Sequence, residues 1–453
     1  MTLGDIFPLS VSPFEEYLLR DDRPGYPMTM PLVLMFRGKV DIGILKEAFH
    51  NTIVREPLFC AVVQRNKNRH YWVPAPALPQ FVTEPNSIIE EGVERIIPLD
   101  VAKNPGVHCC YTPLHDGFAL RLQVHHAVCD GLGSILFMGN WMAEYARLIG
   151  DDPLMAANPV VPIRIQARTN FHADLPHTPA RWKIVRSFIR ELSHWFGRPL
   201  YRLSPMDDPN TDSPHGRFGN TDVNPVLLWK TITGADLARI RQKSQSLGVS
   251  LNSYLTGQYY LYLCNRLGAN KISDRQWIRL LIPTNLRKPV HFDIPASNMI
   301  GYAFLDRRIS ECIDSETFYQ NIDHTINIIK KWEMGTMFIS VIEILRRIPF
   351  ALPMILSSQN CLSTSVFSNI GNPCKILPYR RFQESGTIEA GEAKLYRIIG
   401  APPIRPGTPI CCGLIRQNDE LTLSMIVDAA KFGLESCRKF HGNFIDHVLR
   451  AGV

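Results

Sequence analysis

The segment His125-His126-Ala127-Val128-Cys129-Asp130-Gly131 has the form HHxxxDG and stands at a change of periodicity. Before it, Phe118-Ala-Leu-Arg-Leu-Gln-Val-His-His126 alternates apolar and polar residues, the pattern of a half-buried strand. After it, Leu132 to Leu148 reads as a helix with Leu136, Trp141, Met142 and Tyr145 as core contacts. The segment therefore occupies a strand-to-helix corner, where a side chain can project into a cleft.

A neutral imidazole accepts a proton near pH 7 and suits general-base chemistry. Adjacent strand residues point to opposite faces. Phe118, Leu120, Leu122 and Val124 share parity with His126. If the strand runs straight, His126 faces the interior and His125 the other side, so His126 is the candidate base. Asp130 sits at the turn, placed to accept a hydrogen bond or pair with an arginine and lock the corner. Gly131 is expected to supply a backbone conformation closed to other residues. A buried histidine or an Asp-Gly turn, taken singly, is ordinary core or turn chemistry. The complete spacing at a strand end is what points to a site.

HHxxxDG resembles the signature of the chloramphenicol-acetyltransferase-like superfamily. That group includes nonribosomal-peptide condensation domains, BAHD acyltransferases, and wax ester synthase/diacylglycerol acyltransferases. The resemblance implies that His126 promotes attack of a hydroxyl or amine on an acyl thioester, with Asp130 structural and His125 and Gly131 supporting. It extends along the chain. Leu32 to Gly38 reads as a first strand, and Val40-Asp41 leads into a helix bearing Leu45, Ala48, Phe49 and Ile53. Arg55-Glu-Pro-Leu58 follows, with Glu56 where the family usually has histidine. Gly248-Val-Ser-Leu-Asn252 opens a second-half helix, with Asn252 as its expected cap.

Ile278 to Arg287 resembles the family's strand ending in P-x-x-x-R. It implies that Arg287 is the ion-pair partner of Asp130 across the two halves. Asn298-Met-Ile-Gly-Tyr302 resembles the next family segment. Ser363 to Pro373 resembles the wax ester synthase strand, with Gly-Asn-Pro in place of Pro-Gly-Pro. Ser368 and Asn369 are its oxyanion or substrate candidates. The BAHD motif D-F-G-W-G is absent.

The implied fold is α/β, with two chloramphenicol-acetyltransferase-like sandwich halves in a V-shaped pseudo-dimer around a central channel. A length of 453 residues, with 45% hydrophobic and 20% charged content, suits two domains. The expected division is 1–170 for the half carrying the motif, 171–222 for a linker, and 223–453 for the half completing the channel. In the linker, Thr178 and Pro179 open a helix pattern. Trp182, Val185, Ile189, Leu192 and Phe196 fall on one face, and Lys183, Arg186, Arg190 and His194 on another. That pattern fits a crossover helix, or an interfacial helix making a peripheral membrane contact.

Met1-Thr-Leu-Gly-Asp5 lacks a basic start and a following apolar run, and no apolar stretch reaches the length of a membrane span. A cytoplasmic protein is expected. Eleven cysteines cannot all pair within one chain, and their expected role is as small buried hydrophobes. His108-Cys-Cys110 lacks zinc spacing, so no metal site is expected. The net charge of +7 comes without like-charge runs, which argues against nucleic acid and suits a phosphate-bearing donor or an anionic surface.

The expected function is an acyltransferase acting from acyl-coenzyme A or an acyl carrier, with no further cofactor. O-acyl transfer of the wax ester synthase/diacylglycerol acyltransferase or alcohol acyltransferase type leads. A stand-alone condensation enzyme using an acyl carrier protein in trans, and a non-catalytic binding protein of the same fold, are the alternatives.

Overall fold

The computed structural model describes residues 5–67, 69–84, 92–151, 160–170, 198–203, 225–266, 275–357 and 360–452. The linker helix pattern at 178–197 lies outside them.

The alternating strand forms over Gly117–His125 and pairs antiparallel with Thr29–Arg37 on one side and Val107–Leu114 on the other. Its period of two divides its side chains between two interfaces. Phe118, Leu120, Leu122 and Val124 join a core with Leu45, Phe49, Phe137 and Trp141 of the helices Ile42–Ile53 and Gly131–Leu148. Trp141 is fully buried, and its indole N–H donates to Leu45 O at 2.9 Å. The opposite parity, Ala119 with Val33 and Met35, packs on Leu227, Leu281, Val366, Cys411 and Ile426 of a second sheet. The interface between the halves is thus written into the same strands as the core of the first half.

Among the described residues, the first sheet has six strands, in the order Glu389–Ala390, Ala393–Gly400, Thr29–Arg37, Gly117–His125, Val107–Leu114, Phe81–Thr83. The second has seven, in the order Ile300–Arg308, Trp277–Asn285, Ser365–Gly371, Ile410–Gln417, Glu420–Val427, Val226–Thr233, Val93–Arg95. Ser365–Gly371 runs parallel to both of its neighbours. A three-stranded sheet of Leu9–Ser10, Arg69–Pro74 and Ala61–Asn66 completes the α/β fold.

The sheets do not divide where the sequence does. Val93–Arg95 from the first half pairs with Val226–Thr233, and Ala393–Gly400 from the second pairs with Thr29–Arg37. Each half therefore lends backbone hydrogen bonds to the other, and a cut at residue 223 would sever both sheets.

All eleven cysteines are free thiols, and all but Cys312 and Cys361 are buried. Cys411 and Cys412 face opposite sides of one strand, the first toward the inter-sheet interface and the second toward the core of the second half. No helix among the described residues is long and apolar enough to cross a membrane.

Candidate active site

The strand ends at His125, and the chain turns before the helix beginning at Gly131. His125 is fully buried. Its Nδ1 accepts from Ala127 N at 3.1 Å, which leaves the ring proton on Nε2, 3.7 Å from Asp22 Oδ2. Both histidines are interior, contrary to the straight-strand reading, but only His126 reaches open space.

His126 lines two cavities that also share Pro283 and Pro402. One, of about 60 Å³, has mainly apolar walls that include Tyr17, Leu281, Tyr302, Phe304 and Phe338. The other, of about 200 Å³, runs past Met30, Gly131, Asn285, Ser368 and Ile415. The charged groups on the first wall are already paired. Arg405 Nε donates to Asp21 at 2.8 Å, and Arg279 Nε to Asp306 at 2.8 Å. His126 N donates to Met28 O at 2.6 Å, which fixes the backbone under the ring. Burial holds the His126 imidazole below its ordinary pKa. Backbone groups of His126 and Cys129 and the Asp130 carboxylate oppose that shift. Nδ1 is buried without a well-formed hydrogen bond. The ring is therefore neutral at pH 7, able to accept a proton where the cavities meet.

Asp130 is the N-cap of the motif helix and is buried. Oδ1 accepts from Gly133 N and Oδ2 from Met299 N, both at 2.7 Å. Here the structure corrects the expected ion pair. Arg287 Nη2 instead donates to Ser297 O at 3.1 Å, and no ion pair joins Asp130 to Arg287 among the described residues. Each Asp130 oxygen is turned to a backbone N–H, so the carboxylate serves as a cap and an inter-half acceptor and not as half of an ion pair.

The Arg287 charge bears on Glu56, a carboxylate of the first half. It is buried, and its Oε2 accepts from Ala296 N at 2.6 Å. Burial pushes its carboxyl up to about 8, against the Ala296 N–H, the Arg287 charge and Asn140, which lower it.

Asn298, in the family-like segment Asn298–Tyr302, carries no role from the sequence alone. Its Nδ2 donates to His126 O at 2.7 Å and Ala127 O at 3.1 Å. With the Met299 and Ala296 N–H groups, it makes residues 296–299 a strap from the second half across the motif corner. An amide beside a family-like segment was the available signal. Its partners, two backbone carbonyls, leave no trace in side-chain patterns.

Gly131 has no positive φ, so the expected backbone role is absent. It matters by closeness, since an added Cβ would lie 3.3 Å from Ile370 Cδ1. Gly133 is tighter: a Cβ would lie 3.1 Å from Ser297 O and 3.2 Å from Ser297 N. Gly133→Ala is expected to cost about 1–3 kcal/mol of stability, read from a denaturant midpoint, by pushing the strap off the helix start. An unchanged midpoint would mean that the strap yields freely.

Ser368 and Asn369 lie on Ser365–Gly371 and line the second cavity. Asn369 Nδ2 already donates to Asn252 Oδ1 at 2.9 Å, and its Oδ1 accepts from Gly371 N at 2.9 Å. Asn369 keeps one amide N–H beyond the bond to Asn252, and the Ser368 hydroxyl is the second candidate donor to a substrate oxygen. Asn252 is not the expected cap: it sits inside the helix Leu251–Arg266, and Ser250 Oγ accepts from Ser253 N at 3.1 Å.

Away from this corner, Glu84, His108 and Cys110 bring three ligand-type atoms within 4.8 Å of one another. Sequence spacing missed this grouping because Glu84 follows a different strand. Arg121 donates to Glu84 at 2.9 Å there and also binds Glu94, so the positive charge is already supplied.

Among solved structures, the first condensation domain of the calcium-dependent antibiotic (CDA) synthetase superposes with a TM-score of 0.69 at 15% identity, covering 98% of this chain and 95% of that one. This is the condensation-domain fold. SgcC5 from Streptomyces globisporus superposes with a TM-score of 0.66 at 15% identity, over 98% of both chains. The trichothecene 15-O-acetyltransferase TRI3 from Fusarium sporotrichioides gives 0.66 at 12% identity, over 97% of this chain and 94% of that one. No protein-family model matches the chain, and no curated protein matches it in sequence. The likeness is one of fold, and it bears out the α/β class expected from the sequence.

Proposed function

We propose that this protein is an acyltransferase that moves an acyl group from a thioester to a hydroxyl or amine, with His126 as general base. The observation that carries the reading is His126 itself: a buried, neutral imidazole where two cavities meet. One cavity can hold the acceptor and the other the acyl thioester, whether acyl-coenzyme A or an acyl carrier. His126 takes the acceptor proton as the oxygen or nitrogen attacks the thioester carbonyl. The tetrahedral oxyanion collapses with expulsion of the thiolate, which receives that proton. The Ser368 hydroxyl is a candidate donor to the oxyanion. Asp130, Asn298 and Glu56 act at a distance, by holding the corner that presents the ring.

Within that reaction we favour a neutral hydroxyl acceptor. The smaller cavity is apolar and its charges are internally paired, which suits a compact uncharged group better than an ammonium or carboxylate. Its size suits an alcohol acyltransferase better than the long-chain wax ester or diacylglycerol type. The condensation reading, with an amine acceptor and a carrier in trans, draws on the fold of the CDA synthetase condensation domain.

A competition assay separates them. Wild-type protein with short acyl-coenzyme A and an equimolar mixture of compact alcohols and amino-acid amides is expected to give ester in excess. Amide as the main product would favour the condensation reading. No transfer from coenzyme A or carrier thioesters to any acceptor, with the fold intact, would leave the binding-protein alternative.

A further inference from the structure

The smaller cavity holds two polar groups that the chemistry above leaves unused. Tyr17, on the helix Pro13–Asp21 of the first half, and Tyr302, on the strand Ile300–Arg308 of the second, both line it with His126. Tyr17 is buried and Tyr302 partly so. Their rings pack against Phe338, with centroids 5.4 and 4.9 Å away, and Phe14 packs edge-on against Tyr302 at 5.1 Å. Aromatic packing fixes the two rings but satisfies neither hydroxyl.

Neither Oη has a hydrogen-bond partner among the described residues. The two rings stand 6.3 Å apart, centroid to centroid. Asp21, the carboxylate on this wall, is held by Arg405 at 2.8 and 3.3 Å. Buried tyrosines in the core of the second half are not left this way. Tyr259 Oη lies 2.8 Å from Ser365 Oγ, Tyr260 Oη donates to Leu305 O at 2.5 Å, and Tyr262 Oη donates to Phe440 O at 2.8 Å. A buried phenol is ordinarily satisfied, and one that borders a cavity is satisfied by what fills the cavity. Burial raises both phenol pKa values, and Asp21 adds to the rise, so both stay protonated at neutral pH and present O–H donors.

We propose that Tyr17 and Tyr302 bind a second, uncharged oxygen of the acceptor. The substrate is then an alcohol carrying an ether, carbonyl or further hydroxyl oxygen away from the one that is acylated. The inference rests on the acyltransferase reading for which end of the molecule reacts. One oxygen lies at His126 and the other at the tyrosine pair, with the carbon frame between them against Leu281, Phe304 and Phe338. A simple alkanol would leave both O–H groups buried and unpaired, which a site built to donate disfavours.

Binding is measured without a thioester donor, by ligand-observed NMR titration of the full chain with n-pentanol, ethoxyethanol and methoxypropanol. These alcohols match in length and differ in whether, and where, an ether oxygen replaces a methylene. Wild type is expected to bind at least one ether alcohol about tenfold or more tighter than n-pentanol. The Tyr17→Phe, Tyr302→Phe double variant keeps both rings. There the order should reverse by a similar factor, because the ether oxygen loses its hydration without gaining a donor. Each single Phe variant should lie between the two. The melting temperature of the double variant should match or exceed that of wild type, since it loses only unpartnered hydroxyls. The proposal is overturned if n-pentanol binds wild type as tightly as both ether alcohols, if the preference for the ether oxygen survives in the double variant, or if no alcohol binds. A water held by the tyrosine pair and not displaced by the ligand would give the first of these results. The titrations need no turnover, so a competition assay that yields no ester leaves them intact and the two readings fail separately.

Discussion

Asp130→Ala is expected to lower stability by about 2–4 kcal/mol, with loss of acyl transfer following from the displaced corner. Two costs combine. The motif helix loses its side-chain cap at Gly133 N, a loss of about 1 kcal/mol in typical helices. Met299 N, buried on the strap from the other half, loses its acceptor, and an unsatisfied buried N–H costs about 1–3 kcal/mol. Because this carboxylate joins both halves, the loss should appear as a shift of the whole unfolding transition. Asp130→Asn keeps one acceptor oxygen but turns an amide N–H₂ toward the other donor, so it should fall between wild type and Asp130→Ala. Urea unfolding followed by circular dichroism measures the order. Wild-type stability in Asp130→Ala would mean that the strap is held by Asn298 and Glu56 alone.

The motif corner was legible because its signals are local. Alternation from Phe118 to Val124 and the apolar stripe of Leu136, Trp141, Met142 and Tyr145 each follow from one element's period, and both elements form. The strand read as half-buried is, however, buried on both faces, Arg121 and Gln123 included, because its polar face packs against the second sheet's side of the fold and binds Glu94. His126 was legible as the cavity residue, but not through strand parity. The strand stops at His125, so the turn, and not parity, aims the ring.

What the sequence concealed is long-range. Arg287 was assigned to Asp130 by resemblance, but capping at Gly133 and the Met299 N–H consume that carboxylate, and Arg287 lies in the field of Glu56. Glu56 stands where the family usually has histidine, and only the structure shows it as a buried acceptor across the interface. Asn369 has the right chemistry for an oxyanion donor, but one of its two amide N–H groups is engaged by Asn252, a partner that sequence spacing does not show. The exchange of Val93–Arg95 and Ala393–Gly400 between sheets could not be read from periodicity, which fixes the face a residue takes but not the strand it pairs with.

His126 carries the central claim. Removing a positioned base is expected to slow transfer by about 10²- to 10⁴-fold. Stability should change little, because no hydrogen bond from the fold holds the ring's Nδ1 and the ring borders open space. The sign of the pH effect follows from burial. The neutral ring is the active form, and its pKa is lowered, so transfer should persist through pH 6.5 and fall only in more acid solution. The most direct measurement is the rate of ester formation from an acyl thioester and a compact alcohol, in wild type and His126→Ala, across that pH range. The account predicts a wild-type rate with an acid limb below pH 6.5, and in the variant a rate lower by two orders of magnitude or more, without that limb, at an unchanged melting temperature. Wild-type transfer by His126→Ala would contradict it.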